Sequence, residues 1–436
     1  MRINPFRPID NAPLILFRIF FGFLFACEAF GAILTGWVKE NFIKPQFTFS
    51  HIGMEWLQPL PGYGMYGYFI AMGILSLLVM VGFRYRLSLA LLTVLWSGTY
   101  FMQKTSYNNH YYLLMLVALI LLFLPANTYA SLDAKRKPSL KSHTMPVWCS
   151  WVMIAQVAIV YFFATVAKFY PDWLDGTYTK SLFTGIPVNE TIAGVFKQPW
   201  FYLFIAYSGI AFDGLIVPAL LWKKTRTFAL IASLIFHIFN SITLQIGIFP
   251  YFALSFAVFF YEPETIRRIF FKHKPSVVVQ EGEQNFTFRN ILYWFFIPYF
   301  LIQLVLPLRH WMIKGDVLWT EEGHRLSWRM MLRQRSGFVA FKVVDKKTNM
   351  ERYYPYYEKL TPKQQQAMSA KPDMIWQMAQ RIRNEYRDKN QEVAVYVNCS
   401  VSINGKPQQP IINPNVDLAA ADWNYFGHSN WVILYE

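Results

Sequence analysis

Charge is scarce in this sequence. Asp, Glu, Lys and Arg make up 15% of its 436 residues, against roughly 25% in a soluble globular domain. Apolar residues reach 54%, which excludes intrinsic disorder, because a disordered chain has too little hydrophobic surface to bury. Cysteine is scarcer still. Cys27, Cys149 and Cys399 leave little room for a disulfide framework, and the two inside apolar runs are expected to be free thiols. No Cys/His spacing suggests zinc. Phosphate loops and nucleophile elbows are also missing, so hydrolase, kinase and ATP-driven transport readings lose ground. No internal repeat or low-complexity tract stands out.

What the sequence does have is long apolar runs. Nine candidate spans are read at 12–37, 63–83, 87–102, 111–125, 147–167, 200–222, 227–243, 246–261 and 291–308, several near the short end of the ~17–25 residues that cross a bilayer. The first is not a cleavable signal peptide, being long and carrying Arg18 and Glu28. The balance of 41 basic over 26 acidic residues gives a net charge of +15. Its basic clusters lie at Arg2/Arg7, Arg84/Arg86, 135–141, 223–226 and 267–274. With nine spans and a cytoplasmic N-terminus all five fall on the inner side, as the positive-inside rule requires; an error of one span would break the agreement. The positive charge therefore points to membrane topology and not to nucleic acid. The fold expected is a polytopic α-helical membrane protein of about nine transmembrane helices.

Composition changes near Arg309. Residues 338–344 and 393–403 alternate like strands, Asn404-Gly405 is a hairpin turn signal, and 361–388 reads as one helix with Pro362 in its first turn. The expected organisation is a helical transmembrane domain over 1–308 and an external α+β domain with antiparallel strands over 309–436.

The polar residues that could do chemistry gather on the outer side. The densest stretch is Lys104-Thr105-Ser106-Tyr107-Asn108-Asn109-His110. Ionisable groups at membrane depth are costly and often functional, and a desolvated lysine can become a neutral amine base. Asn108, Asn109 and His110 could hold an anionic oxygen or fix that amine. A hydrated loop with a snorkelling lysine is the alternative. His237, Asn240 and Ser241 share one helix face, with Gln245 close behind; interhelical hydrogen bonding is the competing explanation. Lys168, Asp172 and Asp175 flank the interfacial Trp173. Asp213 lies within a span and needs a partner, either Arg18 or a lysine that it positions. His51 precedes a segment of re-entrant or interfacial character.

These residues carry a resemblance. The chain resembles the vitamin K-dependent gamma-glutamyl carboxylase family, in a shorter, bacterial-type form. The 104–110 stretch is similar to the family's Lys-Thr-Ser-Trp-Asn-Asn-His segment. Further matches are Ala126-Asn127-Thr128-Tyr129, Val160-Tyr161-Phe162 with Lys168 and Asp172-Trp173, Asp213, and Phe236-His237 with Asn240-Ser241 and Gly247-Ile248-Phe249-Pro250-Tyr251. Leu326-Ser327-Trp328 with Met330-Met331, Val401-Ser402-Ile403-Asn404 and Pro414 with Val416-Asp417 extend the likeness toward the end.

The resemblance implies an integral membrane enzyme, in a bacterial inner membrane if the host is bacterial, with its C-terminal domain external. A reduced naphthoquinone (vitamin K, with menaquinol the natural choice) is deprotonated by Lys104, and O2 converts it to a strong base that ends as the 2,3-epoxide. That base removes a γ-proton from a glutamate of a protein or peptide partner, and CO2 adds. His110 and His237 join Lys104 as catalytic candidates. Asn108, Asn109, Asn240, Ser241 and Gln245 would hold the quinol. Lys168, Trp328, Met330 and Arg333 would hold the peptide, and Asp213 and Arg18 would position others; no metal is implied. Two features depart from animal members: the chain ends at Glu436 without their extension, and its cysteines do not obviously supply their inter-domain disulfide. The competing readings are a quinol epoxidase that fixes no carbon, and a non-enzymatic quinone- or lipid-binding membrane protein.

Overall fold

The structure is a computed structural model and describes residues 4–184, 190–244, 246–277, 286 and 289–435. Its first part is helical: α1 (Ala12–Leu34), α2 (Gly64–Val81), α3 (Tyr85–Met102), α4 (Asn109–Phe123), α5 (Trp148–Ala167), α6 (Pro199–Leu221), α7 (Arg226–Leu244), α8 (Phe249–Ser255) and α9 (Arg289–Met312). Six of these, namely α1, α2, α5, α6, α7 and α9, are long and apolar enough to cross a membrane, so this is a membrane protein. The expected count of nine therefore stands at six by length and composition. The other three places are helical too, but α3 is diluted by Ser, Thr, Tyr and Trp. At about 1.5 Å per residue, the 15 residues of α4 and the 7 of α8 fall short of a ~30 Å hydrocarbon core.

Small residues allow the closest helix contacts. A Cβ on Gly22 of α1 would lie 2.5 Å from the Met80 backbone nitrogen of α2, and one on Gly73 would meet the Phe30 ring. Glycine at position 22 lets the two backbones touch, and glycine at position 73 makes room for the Phe30 ring.

The basic clusters converge on one end of the bundle. The Asp133 carboxylate accepts from the backbone N–H groups of Arg84 and Tyr85 at 2.8 and 2.9 Å. Lys274 pairs with Asp10 in a two-stranded ribbon made by β1 (Pro8–Asp10) and β2 (Thr144–Pro146). Lys223 reaches Glu262 at 2.7 Å. Arg2 lies outside the described residues.

Beyond α9 the chain forms β3 (Arg335–Asp345), β4 (Glu351–Tyr353), α10 (Pro362–Met368), α11 (Pro372–Arg387), β5 (Val393–Ile403) and β6 (Gln409–Pro410). The antiparallel sheet has the order β4-β3-β5-β6. β3 and β5 pair along their whole length, from Arg335 opposite Ile403 to Asp345 opposite Val393. Alternate side chains (Val339, Phe341, Val343 and Val395, Val397, Val401) face Met374, Ile375, Met378 and Ile382 of α11. The β5–β6 turn uses positive φ at Asn404 (52°) and Gly405 (78°), the backbone a tight hairpin demands.

The helix expected over 361–388 is two helices. Pro362 does open the first, where Thr361 and Gln364 form a capping box. Pro372 then forces a break, because it has no N–H to give to a preceding turn and holds Lys371 extended. The break is packed tightly: a Cβ on Gly337 of β3 would lie 2.2 Å from the Ser369 carbonyl oxygen.

The α1–α2 connection belongs partly to the external core. Phe47 and Phe49 are buried among its residues, Gln364 donates to the Phe47 carbonyl at 2.7 Å, and Gln377 donates to the Ser50 carbonyl at 3.0 Å. The segment read as re-entrant or interfacial is thus clamped between the helical bundle and the external domain.

Candidate active site

Lys104 sits where the bundle meets that domain. α3 ends at Met102, and residues Lys104–Ser106 make a single 3-10 turn. The Lys104 backbone N–H donates to the Phe49 carbonyl at 2.6 Å. The side chain is 1% exposed, and its amine lies 2.6 Å from Asp373 Oδ2. The same oxygen takes an N–H from Arg325 at 2.7 Å. Asp373 occupies the first turn of α11, where unpaired backbone N–H groups favour an anion. Burial draws the Lys104 amine down to about 8, against the Asp373 carboxylate, which holds it up. Although burial opposes it, Arg325 and Lys104 hold the Asp373 carboxyl well below the usual range.

His51 stacks on Tyr100 with ring centroids 5.4 Å apart, and burial, Arg325 and Lys104 push its imidazole down to about 3. The Arg325 guanidinium lies 5.6 Å from the Tyr107 ring centroid. Tyr107 donates its hydroxyl to Asn109 Oδ1 at 3.1 Å and accepts the Leu326 backbone N–H at 2.8 Å.

A cavity of about 530 Å³ opens among the helices beside this junction. Its wall is mostly apolar and includes Val160, Phe212, Phe249, Met330 and Met331, with His110, Tyr161, His237 and Asn240 among its polar groups. His110 stacks on Phe249 at 3.7 Å. Tyr161 Oη and His237 Nε2 are 3.1 Å apart, in hydrogen-bond contact, and the buried His237 Nδ1 has no partner among the described residues. Lys168 and Asp213 pair on the same wall.

Two strands of chain join junction and cavity. The 104–110 stretch carries Lys104 at one end and His110 at the other. Alongside it, Arg325 grips Asp373, Asn109 Nδ2 donates to the Arg329 carbonyl at 3.1 Å, and Met330 and Met331 reach the cavity. Leu326, Trp328 and Met331 take positive φ (60°, 57° and 49°), a conformation costing about 1–2 kcal/mol per non-glycine residue. Strain of this kind collects at functional sites, where the surrounding packing enforces it.

The structure sorts the residues singled out from sequence. His110, His237, Asn240, Met330, Lys168 and Asp213 share the cavity wall; Lys104 does not, its amine being held by Asp373. Asn108 caps α4 by accepting the Tyr111 N–H at 2.7 Å, and so serves the helix. Ser241 turns to the Tyr251 hydroxyl at 3.2 Å. Gln245 lies outside the described residues. Arg18 is not the partner of Asp213: its guanidinium donates to the carbonyls of Ala126 (2.8 Å) and Ala130 (2.6 Å), just past the far end of α4, while Asp213 has Lys168. Trp328 is fully buried, 4.8 Å from the Tyr112 ring, and is no free peptide-binding surface. Arg333 is likewise spent on the buried Glu321. Sequence reasoning missed Asp373, Arg325 and the Tyr161 contact to His237. No local spacing reveals Asp373, which is 269 residues from Lys104; Tyr161 lay inside a quoted motif and could have been paired with His237. Among the described residues, no group of three or more His, Cys, Asp or Glu is placed to hold a metal ion, and the three cysteines are free.

Comparison with known families gives two matches along the chain. The HTTM domain matches residues 6–264. The vitamin K-dependent gamma-carboxylase lumenal domain matches residues 288–436, taking in α9 and everything after it. No solved structure matches the chain. The second match makes the C-terminal region a luminal or external domain, and the pair points to a carboxylase-like enzyme with a vitamin K cofactor and a glutamate-containing protein substrate. With an HTTM domain followed by that lumenal domain, the chain belongs to the vitamin K-dependent gamma-carboxylase family.

Proposed function

We propose that this protein γ-carboxylates glutamate side chains of a protein or peptide, coupled to oxygenation of a reduced vitamin K, menaquinol or phylloquinol, to its 2,3-epoxide. One observation carries the reading: a fully buried lysine amine, lowered to about 8, stands one short stretch from an apolar cavity of about 530 Å³.

The cavity suits a naphthoquinol. Its aromatic and aliphatic wall matches the ring and tail, and the unpartnered His237 Nδ1 offers a buried hydrogen-bonding atom to a ring oxygen. Reduced vitamin K, reacting with O2, supplies the strong base that glutamate deprotonation needs, and CO2 supplies the carbon. The chain's own residues do the rest. Lys104 Nζ accepts a quinol hydroxyl proton, which only the neutral amine can do; at about 8, roughly a tenth of the amines are neutral at pH 7. Because the amine is bound to Asp373, the reading requires Lys104 to leave that carboxylate when it works. His110 and His237 orient the ring oxygens, with Tyr161 fixing His237. Met330, Met331 and Phe249 exclude water from a reactive centre. The peptide is presented by the external domain. The basic end of the bundle faces the cytoplasm and the carboxylation site faces outward.

Lys104→Ala tests the assignment. Loss of a general base costs about 10²–10⁴ in rate, so quinol oxidation by a correctly folded Lys104→Ala protein is expected to fall by that factor. Wild-type epoxide formation by the folded variant would refute Lys104 as the base.

A further inference from the structure

The external domain reaches the bundle's lysine with one carboxylate, and that carboxylate is shared. Asp373 Oδ2 takes both the Lys104 amine at 2.6 Å and Arg325 at 2.7 Å. If the Lys104 ammonium gives up its proton to solvent and leaves as a neutral amine, Asp373 keeps Arg325 and no buried charge is stranded. An ion pair whose anion retains a second cation can open at little cost, whereas breaking a simple buried pair strands a charge. We propose that Asp373 is a positioning residue through which the external domain sets the protonation of Lys104, holding the amine charged and parked while the two halves are docked. This rests on the reading of Lys104 as the base.

The groups around the amine give the proposal its sign. From the start of α11 come Asp373 and Lys371, and from the 325–331 segment comes Arg325. The α1–α2 connection brings His51 and Glu55; α3 and its turn bring Tyr100 and Tyr107, with His324 beyond Tyr107. α10 brings Lys363, whose amine is held by Asn41 and Ser106 at 2.8 and 2.9 Å. The anions favour the ammonium and the cations oppose it. Asp373 is the anion in direct contact, and Arg325 is the cation sharing its oxygen.

Removing Asp373 must therefore make Lys104 a neutral amine at lower pH, and removing Arg325 must do the reverse. The test needs no quinol. Competitive acetic anhydride labelling of the full-length protein, read at the Lys104 peptide by mass spectrometry across the neutral and alkaline range, reports the fraction of neutral amine. The expected midpoint is about 8 in the wild type. It should move down by ~1–3 pH units in Asp373→Asn and upward in Arg325→Gln, with Asp373→Glu restoring the wild-type value. The acid limb of quinol oxidation should move with the label. Opposite shifts cannot come from a general loosening of the fold. An unmoved midpoint in folded Asp373→Asn, or the same direction for both substitutions, would overturn the proposal. If Asp373→Asn does not fold, Arg325→Gln decides it by the sign of its shift. A labelling shift alongside undiminished oxidation by Lys104→Ala would leave the Asp373 contact standing and remove only the base assignment.

Discussion

The Lys168–Asp213 pair joins residues 45 apart in sequence and lies within the helical bundle. The Lys104–Asp373 pair joins residues 269 apart and ties the bundle to the external domain. Both are buried lysine–aspartate contacts, yet their surroundings differ. Asp213 has Lys168 as its one ion-pair partner among the described residues, and the Lys168 amine is further held by the Ala164 carbonyl at 3.3 Å and faces the Trp173 ring at 5.1 Å. Asp373 has two cations in contact. The first pair is closed and acts as an interhelical tie; the second can lose its lysine and keep its charge balanced. A buried ion pair is thus a fastening or a releasable latch according to how many partners its acid retains.

The comparison can be broken by removing each lysine in turn. Lys168→Met strands the Asp213 carboxylate and is expected to destabilise the protein by about 3–5 kcal/mol, read as a lowered thermal midpoint. Lys104→Met leaves Asp373 with Arg325 and is expected to cost no more than about 1 kcal/mol. Equal losses would erase the distinction. Lys168→Met with Asp213→Leu replaces both charges by apolar groups and should recover most of the loss, to within about 1 kcal/mol of wild type; no recovery would mean that Asp213 serves more than its lysine. The smallest effect is sought in the cavity. Tyr161→Phe frees His237 Nε2 and is expected to cost about 0.5–1.5 kcal/mol of quinol binding, a several-fold rise in KM with kcat retained. An unchanged KM would take Tyr161 and His237 out of quinol orientation.

Much of the fold was legible because it is local. Apolar runs mark helices at all nine places read as spans, strict alternation marks β3 and β5, and Asn404-Gly405 and Pro362 mark a turn and a helix start. Legibility failed where a distant contact or a single backbone constraint decides. Pro372 splits a helix that periodicity would continue. The partner of Asp213 stays open between Arg18 and a lysine in the sequence, because hydropathy gives membership of a span and not depth within it; Arg18 sits toward the basic end, among carbonyls that need a donor, and the lysine is Lys168. Trp328 and Arg333 lie near the membrane in sequence, but sequence does not say which way a side chain faces, and both face inward. In the site, the 104–110 stretch and the 237–241 face were visible as polar residues next to apolar runs. Asp373 was not, because an acid in the first turn of an external helix looks like an ordinary helix-stabilising residue until the tertiary fold brings it to Lys104.

The central claim is that one chain couples quinol oxygenation to carbon fixation. The direct measurement gives purified protein reduced menaquinone, O2, labelled bicarbonate and a glutamate-rich peptide, and follows epoxide and peptide-bound label together, with Lys104→Ala alongside. The account predicts both products from the wild type and neither from the variant. Folded, quinol-binding wild-type protein that forms no epoxide would contradict it, and epoxide without label in the peptide would reduce the protein to a quinol epoxidase.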